Sequence, residues 1–275
     1  MTDRAQVEST SVQTAETEFG KYATPLVHEA ITQASTLDAD PDAEVLHKLR
    51  VALRRLRTLL WAYRPMLDKD FDNQQRAIYK FLASAAGDTR DWDILMELLT
   101  ELGEPKLAGA LQQSRDAALK TSRETLSHAS IKNVLHDAVS EANKELNTAP
   151  QRTPLKKFAC KRVAAAEEQL RKRMKRASRA KRSDYALFHG VRKAGKKVRY
   201  LLEFFEPLLE KKQRKGMKKL KLLQKRFGAL NDVVASRELL QSNLGSIPDE
   251  KTARRAIQSL KKEKKRRAKA ASKML

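Results

Sequence analysis

Apolar residues along the chain recur every three or four positions, the spacing of helices that bury one face. This period predicts helices over 17–37, 42–67, 70–102 and 105–147, then over 155–182, 184–209, 211–243 and 249–273, two sets of four. Alternating β-branched runs hardly occur, and long stretches rich in Ala, Leu, Glu, Lys and Arg favour helix, so the predicted fold class is all-α. The two sets meet at Asn147-Thr148-Ala149-Pro150-Gln151-Arg152-Thr153-Pro154, where two prolines and small polar residues end one helix and start another. Asp40-Pro41-Asp42 and Ile247-Pro248-Asp249 punctuate helix starts in the same manner. The expected organisation is a frayed N-terminus over 1–14, one unit over 15–150 and a second over 151–275.

The two sets look like copies of one another. Aligned without a gap, His47 to Leu67 (HKLRVALRRLRTLLWAYRPML) and His189 to Leu209 (HGVRKAGKKVRYLLEFFEPLL) share 8 of 21 residues, and several other positions exchange Leu for Val or Arg for Lys. With a shift of one residue, Leu82 to Leu99 aligns with Leu223 to Leu240, matching Gly87 to Gly228 and Asp91 to Asp232. An internal repeat of this length implies duplication of a helical unit.

Charge is divided unevenly between the copies. Residues 1–150 hold 18 Lys+Arg against 23 Asp+Glu, a net of −5, whereas residues 151–275 hold 39 against 11, a net of +28. A half-chain so basic repels itself and calls for a polyanionic partner. On a helix turning about 100° per residue, His47, Arg50, Arg54 and Arg57 fall on a stripe about 80° wide, and His189, Arg192, Lys196 and Arg199 repeat it. Leu49, Leu53, Leu56 and Leu60 form the buried face that this stripe borders. Cations held there without carboxylates are costly to desolvate, so the pattern points to a wet cleft that an anion fills, with pairing to Asp or Glu of neighbouring helices as the alternative. Lys80 and Lys221 each lie seven residues before the repeat glycine, and Lys218, Lys221 and Lys225 share one helix face as a second basic row, which Lys80 and Arg76 continue in the first copy.

Other residues carry less. Gly87 and Gly228 suit close helix packing or a kink, and Asp91 and Asp232 suit a helix cap or the orientation of an arginine. His28, His128 and His136 lack repeat counterparts and metal-ligand spacing, and the lone Cys160 reads as a small core residue. The repeated His47 and His189 are expected to donate to a phosphate and to gain charge on binding it.

This duplicated helix, His-x-x-Arg-x-x-x-basic-basic-x-Arg in substance, with its Gly-x-x-x-Asp partner, resembles the CHAD family, the conserved histidine α-helical domain, over residues 15–275. The resemblance implies two four-helix bundles related by a pseudo-twofold axis, a basic central pore lined by the repeated helices, and binding of inorganic polyphosphate. It assigns that role to His47, Arg50, Arg54, Arg55 and Arg57 in the first copy and to His189, Arg192, Lys196, Lys197 and Arg199 in the second. Lys193 stands where the first copy has Val51, and Gly190 where it has Lys48, so the copies differ in charge. CHAD domains are commonly fused to CYTH triphosphate hydrolases, whose Glu-x-Glu-x-Lys motif Glu16 to Lys21 misses by one residue. No strand-rich region follows, so the expectation is a stand-alone binding protein.

No Walker loop, metal-spaced carboxylate cluster or nucleophile triad is evident, so the expected activity is non-catalytic, with no cofactor and no metal. A general polyanion or nucleic-acid-binding protein is the alternative, supported by Lys261 to Arg267 and Arg171 to Arg176, which read either as binding arms or as solvated helix faces. Against it, Tyr200, Phe204 and Phe205 fit a packed face and leave few stacking platforms for bases. A polyphosphate-processing enzyme is disfavoured for want of acidic metal ligands in the motif. Lacking 18 uninterrupted apolar residues or a basic and greasy N-terminus, the chain is expected to be cytoplasmic without a membrane partner, with polyphosphate granules as a candidate destination.

Overall fold

The computed structural model of the protein describes residues 13–37, 43–211, 216–247 and 249–275. The expected frayed stretch up to residue 12, the Asp40-Pro41-Asp42 turn and Pro248 lie outside the described residues. In the first half the helices are α1 (Ala15–Thr36), α2 (Ala43–Tyr63), α3 (Lys69–Ala85), α4 (Asp88–Glu101), α5 (Pro105–Ala110), α6 (Gln112–His128) and α7 (Ile131–Thr148). In the second half they are α8 (Leu155–Ser178), α9 (Tyr185–Phe204), α10 (Met217–Ser242) and α11 (Glu250–Ser272). Among the described residues there is no strand, only an isolated bridge between Thr14 and Pro154. No described helix is long and apolar enough to cross a membrane.

Polar side chains cap the starts of α1, α3 and α11. Thr14 accepts from Thr17 N at the start of α1, the Asp68 carboxylate accepts from Asp70 N and Phe71 N at the start of α3, and Asp249 accepts from Thr252 N at the start of α11. The expected helix over 70–102 is broken at Ala86-Gly87, whereas its counterpart α10 runs unbroken through Gly228. The local cause is sequence: Gly87 is followed by Asp88 and Asp91, acidic residues suited to a new helix N-terminus, whereas Gly228 is followed by Ala229 and Leu230. The expected helix over 105–147 is likewise three helices. Its turns, at Leu111 and at Ala129-Ser130, the latter with Ser130 in the left-handed region at φ 45°, preserve the three-and-four spacing of apolar residues and carry no glycine or proline.

The cores join the two halves. In the largest, Tyr63 meets Phe19 at 4.9 Å and Phe158 at 4.7 Å between ring centres, and Phe158 meets Phe205 at 6.0 Å, so aromatic rings of α1, α2 and α8 and the residue ending α9 stack into one body. A second core sets Trp92, Leu95 and Leu99 of α4 against Val233 and Leu240 of α10 and Ala253, Ala256 and Leu260 of α11. A third lies within the second half, around Phe188, Val191, Phe227 and Leu230. The backbone seals the join: Ala15 N donates to Thr153 O, Leu155 N donates to Gln13 O, and both oxygens of buried Glu16 accept from Thr153 N at 3.0 Å. Glu16 and the Glu18–Lys21 ion pair of 2.7 Å thus serve the first helix and its junction.

Because Leu95 is fully buried between the halves, Leu95→Ala is expected to lower the unfolding free energy by about 3 kcal/mol. Circular dichroism in a denaturant series checks this, with both halves unfolding in one transition.

Candidate functional site: a cluster of unpaired cations

Helices α2 and α9 carry the repeated stripes and pack against each other, with α1, α3 and α4 also packed on α2 and α8 and α10 on α9. Their apolar faces are buried as the spacing predicts: Leu49, Leu53, Leu56 and Leu60 in α2, and Val191, Val198 and Leu202 in α9. This contact brings the stripe residues of the two helices together. Arg54 lies among Arg50 and Arg192, and Lys196 lies among Arg192, Arg54 and Arg50. Four cationic groups therefore share one half-buried space.

Carboxylates only partly offset this charge. Arg50 donates to Asp91 Oδ1 at 3.2 Å and to Gly87 O at 3.1 Å, so Asp91 orients an arginine and Gly87 N-caps α4. A side chain at Gly87 would collide with the guanidinium, whose carbon lies 2.5 Å from where a Cβ would stand. A Cβ there would force the Arg50 side chain to move, whereas at Gly228 the corresponding space is open. Asp232 faces Arg192 and Lys196 from α10, and burial raises its pKa against their attraction. Arg54, Arg192 and Lys196 themselves make no side-chain hydrogen bond or ion pair among the described residues, and the Arg192 Nε is buried without a partner.

The electrostatic result is strained protonation. Burial first, then Arg192, Arg54 and Arg50, pushes the Lys196 ammonium down to about 7, and burial followed by Arg50 and Arg192 pushes Arg54 down to about 10. Burial also lowers Arg192, against the pull of Asp232. His47 stands at an exposed position but is desolvated by its surroundings, which lower its pKa; Glu44 opposes that shift and Arg90 and Arg50 add to it. His189 is lowered by burial, then by Lys193 and Arg192. Its Nδ1 lies 3.1 Å from Asn231 Oδ1 and 3.1 Å from Tyr185 Oη, while Tyr185 donates to the same amide oxygen at 2.8 Å. With Nδ1–H directed at Asn231, Nε2 is the atom left to take a proton and donate it to an anion.

The remaining predicted residues divide into three groups. Lys193 lies near Arg57, Lys80 and Arg173, and Lys197 near Arg76, Arg173 and Arg162, so these join the cluster from the α3 and α8 side. Burial first, then Arg76, Arg173 and Arg162, lowers Lys197 to about 8. Arg55 and Arg199 instead share Glu203, at 3.7 and 2.7 Å, and Arg55 also lies over the Phe204 ring. Lys218, Lys221 and Lys225 are exposed along α10 and make no ion pair among the described residues; Lys225 lines an open cleft of about 410 Å³ between α4, α10 and α11.

Sequence reading missed Trp61, Arg162 and the Tyr185–Asn231 scaffold, and saw Arg173 only as part of a basic run. Arg162 stacks on Trp61 at 4.2 Å and donates to its carbonyl at 2.8 Å, while the Lys197 ammonium lies 3.9 Å from the ring centre on Trp61. Gly190 was the available signal for Arg173, because a Cβ there would stand 2.9 Å from the Arg173 guanidinium. In the basic tail, Arg266 and Arg267 both bind Glu263, holding its carboxyl down at about 2, and Arg267 also donates to Ala229 O, so part of that charge is structural. Among the described residues no group of three His, Cys, Asp or Glu side chains is placed to hold a metal ion.

Comparison with known proteins gives two kinds of match. The CHAD domain family matches residues 22–241. The crystal structure of the CHAD domain from the plant Ricinus communis superposes with a TM-score of 0.80 at 22% identity, covering 100% of this chain and 96% of that one. PptA from Streptomyces chartreusis superposes with a TM-score of 0.70 at 14% identity, covering 95% and 99%. At these identities the two structures bear on fold alone. No curated protein matches the sequence.

The Lys196 shift has a consequence for stability. A lysine held near 7 in the folded protein but near 10.4 when unfolded leaves the unfolded state binding more protons between those values. Stability of the free protein is therefore expected to rise as pH goes from about 7 towards 10. Thermal melts across that range check this, with a flatter slope in Lys196→Met.

Proposed function

The chain belongs to the CHAD domain family, and from that premise we propose that it binds inorganic polyphosphate, without chemical conversion, on the cationic face shared by α2 and α9. The observation that carries this reading is the set of Arg54, Arg192 and Lys196, gathered at a helix contact with no carboxylate bonded to any of them. Folding holds these groups together against repulsion and desolvation, and a dense, flexible polyanion relieves both. Each bound phosphate oxygen accepts from guanidinium or ammonium donors, and the lowered histidines and Lys196 take up protons as it arrives.

The same reading takes the fold as two duplicated four-helix bundles about a pseudo-twofold axis, with this face as the lining of a central basic pore. Reciprocal contacts support it: Arg54 with Arg192 and Arg50 with Lys196 are the same contact with the copies exchanged. Lys197 on Trp61 and Arg55 on Glu203 form a second such pair. A cytoplasmic protein recruited to polyphosphate granules fits this chemistry.

Polyphosphate is favoured over nucleic acid by the aromatic inventory. Tyr200, Phe204 and Phe205 are buried, and among the described residues Phe81 is the one strongly exposed aromatic ring, so base stacking has little to use. At near-physiological salt, affinity for long-chain polyphosphate is expected to exceed that for single- or double-stranded nucleic acid of equal phosphate number by at least tenfold, and to fall steeply with added salt. A variant with His47, Arg50, Arg54, His189, Arg192 and Lys196 made uncharged is expected to lose that preference. Equal affinities, carried undiminished by the variant, would place binding on the basic surface at large.

A further inference from the structure

The two flanks of the α2/α9 pair are chemically unlike, although the repeat makes their positions equivalent. On one flank, facing α3 and α8, stand Trp61 and Lys193. On the other, their equivalents are Glu203 and Val51. The contact geometry is matched but its content differs: Lys197 lies 3.9 Å from the Trp61 ring centre, whereas its equivalent, Arg55, lies 3.7 Å from the Glu203 carboxylate. Glu203 also binds Arg199 at 2.7 Å, and Gln224 of α10 accepts from the same guanidinium at 2.8 Å. Arg55 and Arg199 on that flank are therefore occupied by protein groups.

On the Trp61 flank an aromatic ring replaces the carboxylate, holding cations without neutralising them. Neighbouring helices widen the difference. Arg76 of α3 is replaced in α10 by Met217, and Gly190 leaves room for Arg173 of α8 to lie across α9 beside Lys193. Buried Asp72 of α3 is bound to Arg64 at 3.1 Å and Arg76 at 3.5 Å, and Glu168 of α8 to Arg171 and Lys172, which leaves Lys80, Arg173 and Lys193 exposed and without ion pairs among the described residues.

We infer that the site is polarised: a polyphosphate chain is captured from the Trp61 flank of the α2/α9 pair, and Glu203 withholds the opposite flank from it. The inference rests on the polyphosphate reading above and adds a direction to it. A one-sided site takes one stretch of chain from one face, and the exposed lysines of α10 then contribute only the diffuse attraction of a distant charge.

Two triple variants at exposed positions test it without touching the core. Lys80→Gln/Arg173→Gln/Lys193→Gln removes three cations from the Trp61 flank, and Lys218→Gln/Lys221→Gln/Lys225→Gln removes three from α10. Titration with long-chain polyphosphate at near-physiological salt is expected to show a loss of roughly tenfold or more in the first and less than about threefold in the second. Equal losses, or a larger loss in the second, would overturn the polarity while leaving polyphosphate binding standing. Failure of the unaltered protein to bind polyphosphate would instead remove the reading on which the inference rests. Glu203→Gln supplies the converse: freeing Arg55 and Arg199 is expected to tighten binding severalfold, and unchanged or weaker affinity contradicts a withholding role.

Discussion

Repulsion between like charges at a buried helix contact is the constraint on which the rest of the structure depends. Arg50, Arg54, Arg192 and Lys196 meet where α2 crosses α9, and the carboxylates within reach, Asp88, Asp91 and Asp232, are fewer than the cations. A contact of this kind cannot hold itself together. It is held by its surroundings: the aromatic stack of Phe19, Tyr63, Phe158 and Phe205, and the core that locks α4 onto α10 and α11. The shared cores are thus the mechanical condition for the site, since they oppose the separation that the cations would otherwise drive.

The same constraint accounts for small features of sequence. Gly87 exists where Arg50 must reach a backbone carbonyl, and Gly190 where Arg173 must cross α9. Tyr185 and Asn231 hold the His189 ring by its Nδ1. First-copy equivalents of those two residues are Ala43 and Arg90, so His47 has no such cradle and is exposed. The aligned stretches thus supply paired positions whose content differs, cations over an aromatic ring on one flank and a neutralised ion pair on the other.

Much of this was legible in the sequence, and the reasons for the remainder are physical. Helix positions followed from the period of apolar residues, and the stripe from the register of His47, Arg50 and Arg54 against Leu49 and Leu53. What the period could not show was where a helix breaks without losing phase: the turn at Ala129-Ser130 keeps the three-and-four spacing, so nothing in the pattern marks it. The split at Gly87 is marked locally by Asp88 and Asp91, but the neighbour that fills the glycine's side-chain space, an arginine 37 residues earlier, is not. Membership of the site was harder still. Arg55 and Arg57 look alike in the motif, yet Arg55 turns to Glu203 while Arg57 joins Lys193, a difference set by which neighbour each meets across the helix contact. Trp61 reads as a core residue and is one by burial, but its ring holds two cations.

If Arg54, Arg192 and Lys196 are kept unpaired for the proposed ligand, they lower the stability of the free protein. Arg54 and Lys196 are equivalent positions of the two copies, so Arg54→Met/Lys196→Met removes the repulsion symmetrically while keeping most of the side-chain bulk. The most direct measurement is the melting temperature of this double variant and of the parent at pH 6, each with and without long-chain polyphosphate. A higher melting temperature is expected for the free variant, by several degrees, with a much smaller gain on adding polyphosphate. A free variant less stable than the parent, with the gain from polyphosphate undiminished, would contradict it, because these cations would then be structural and the ligand would be held elsewhere.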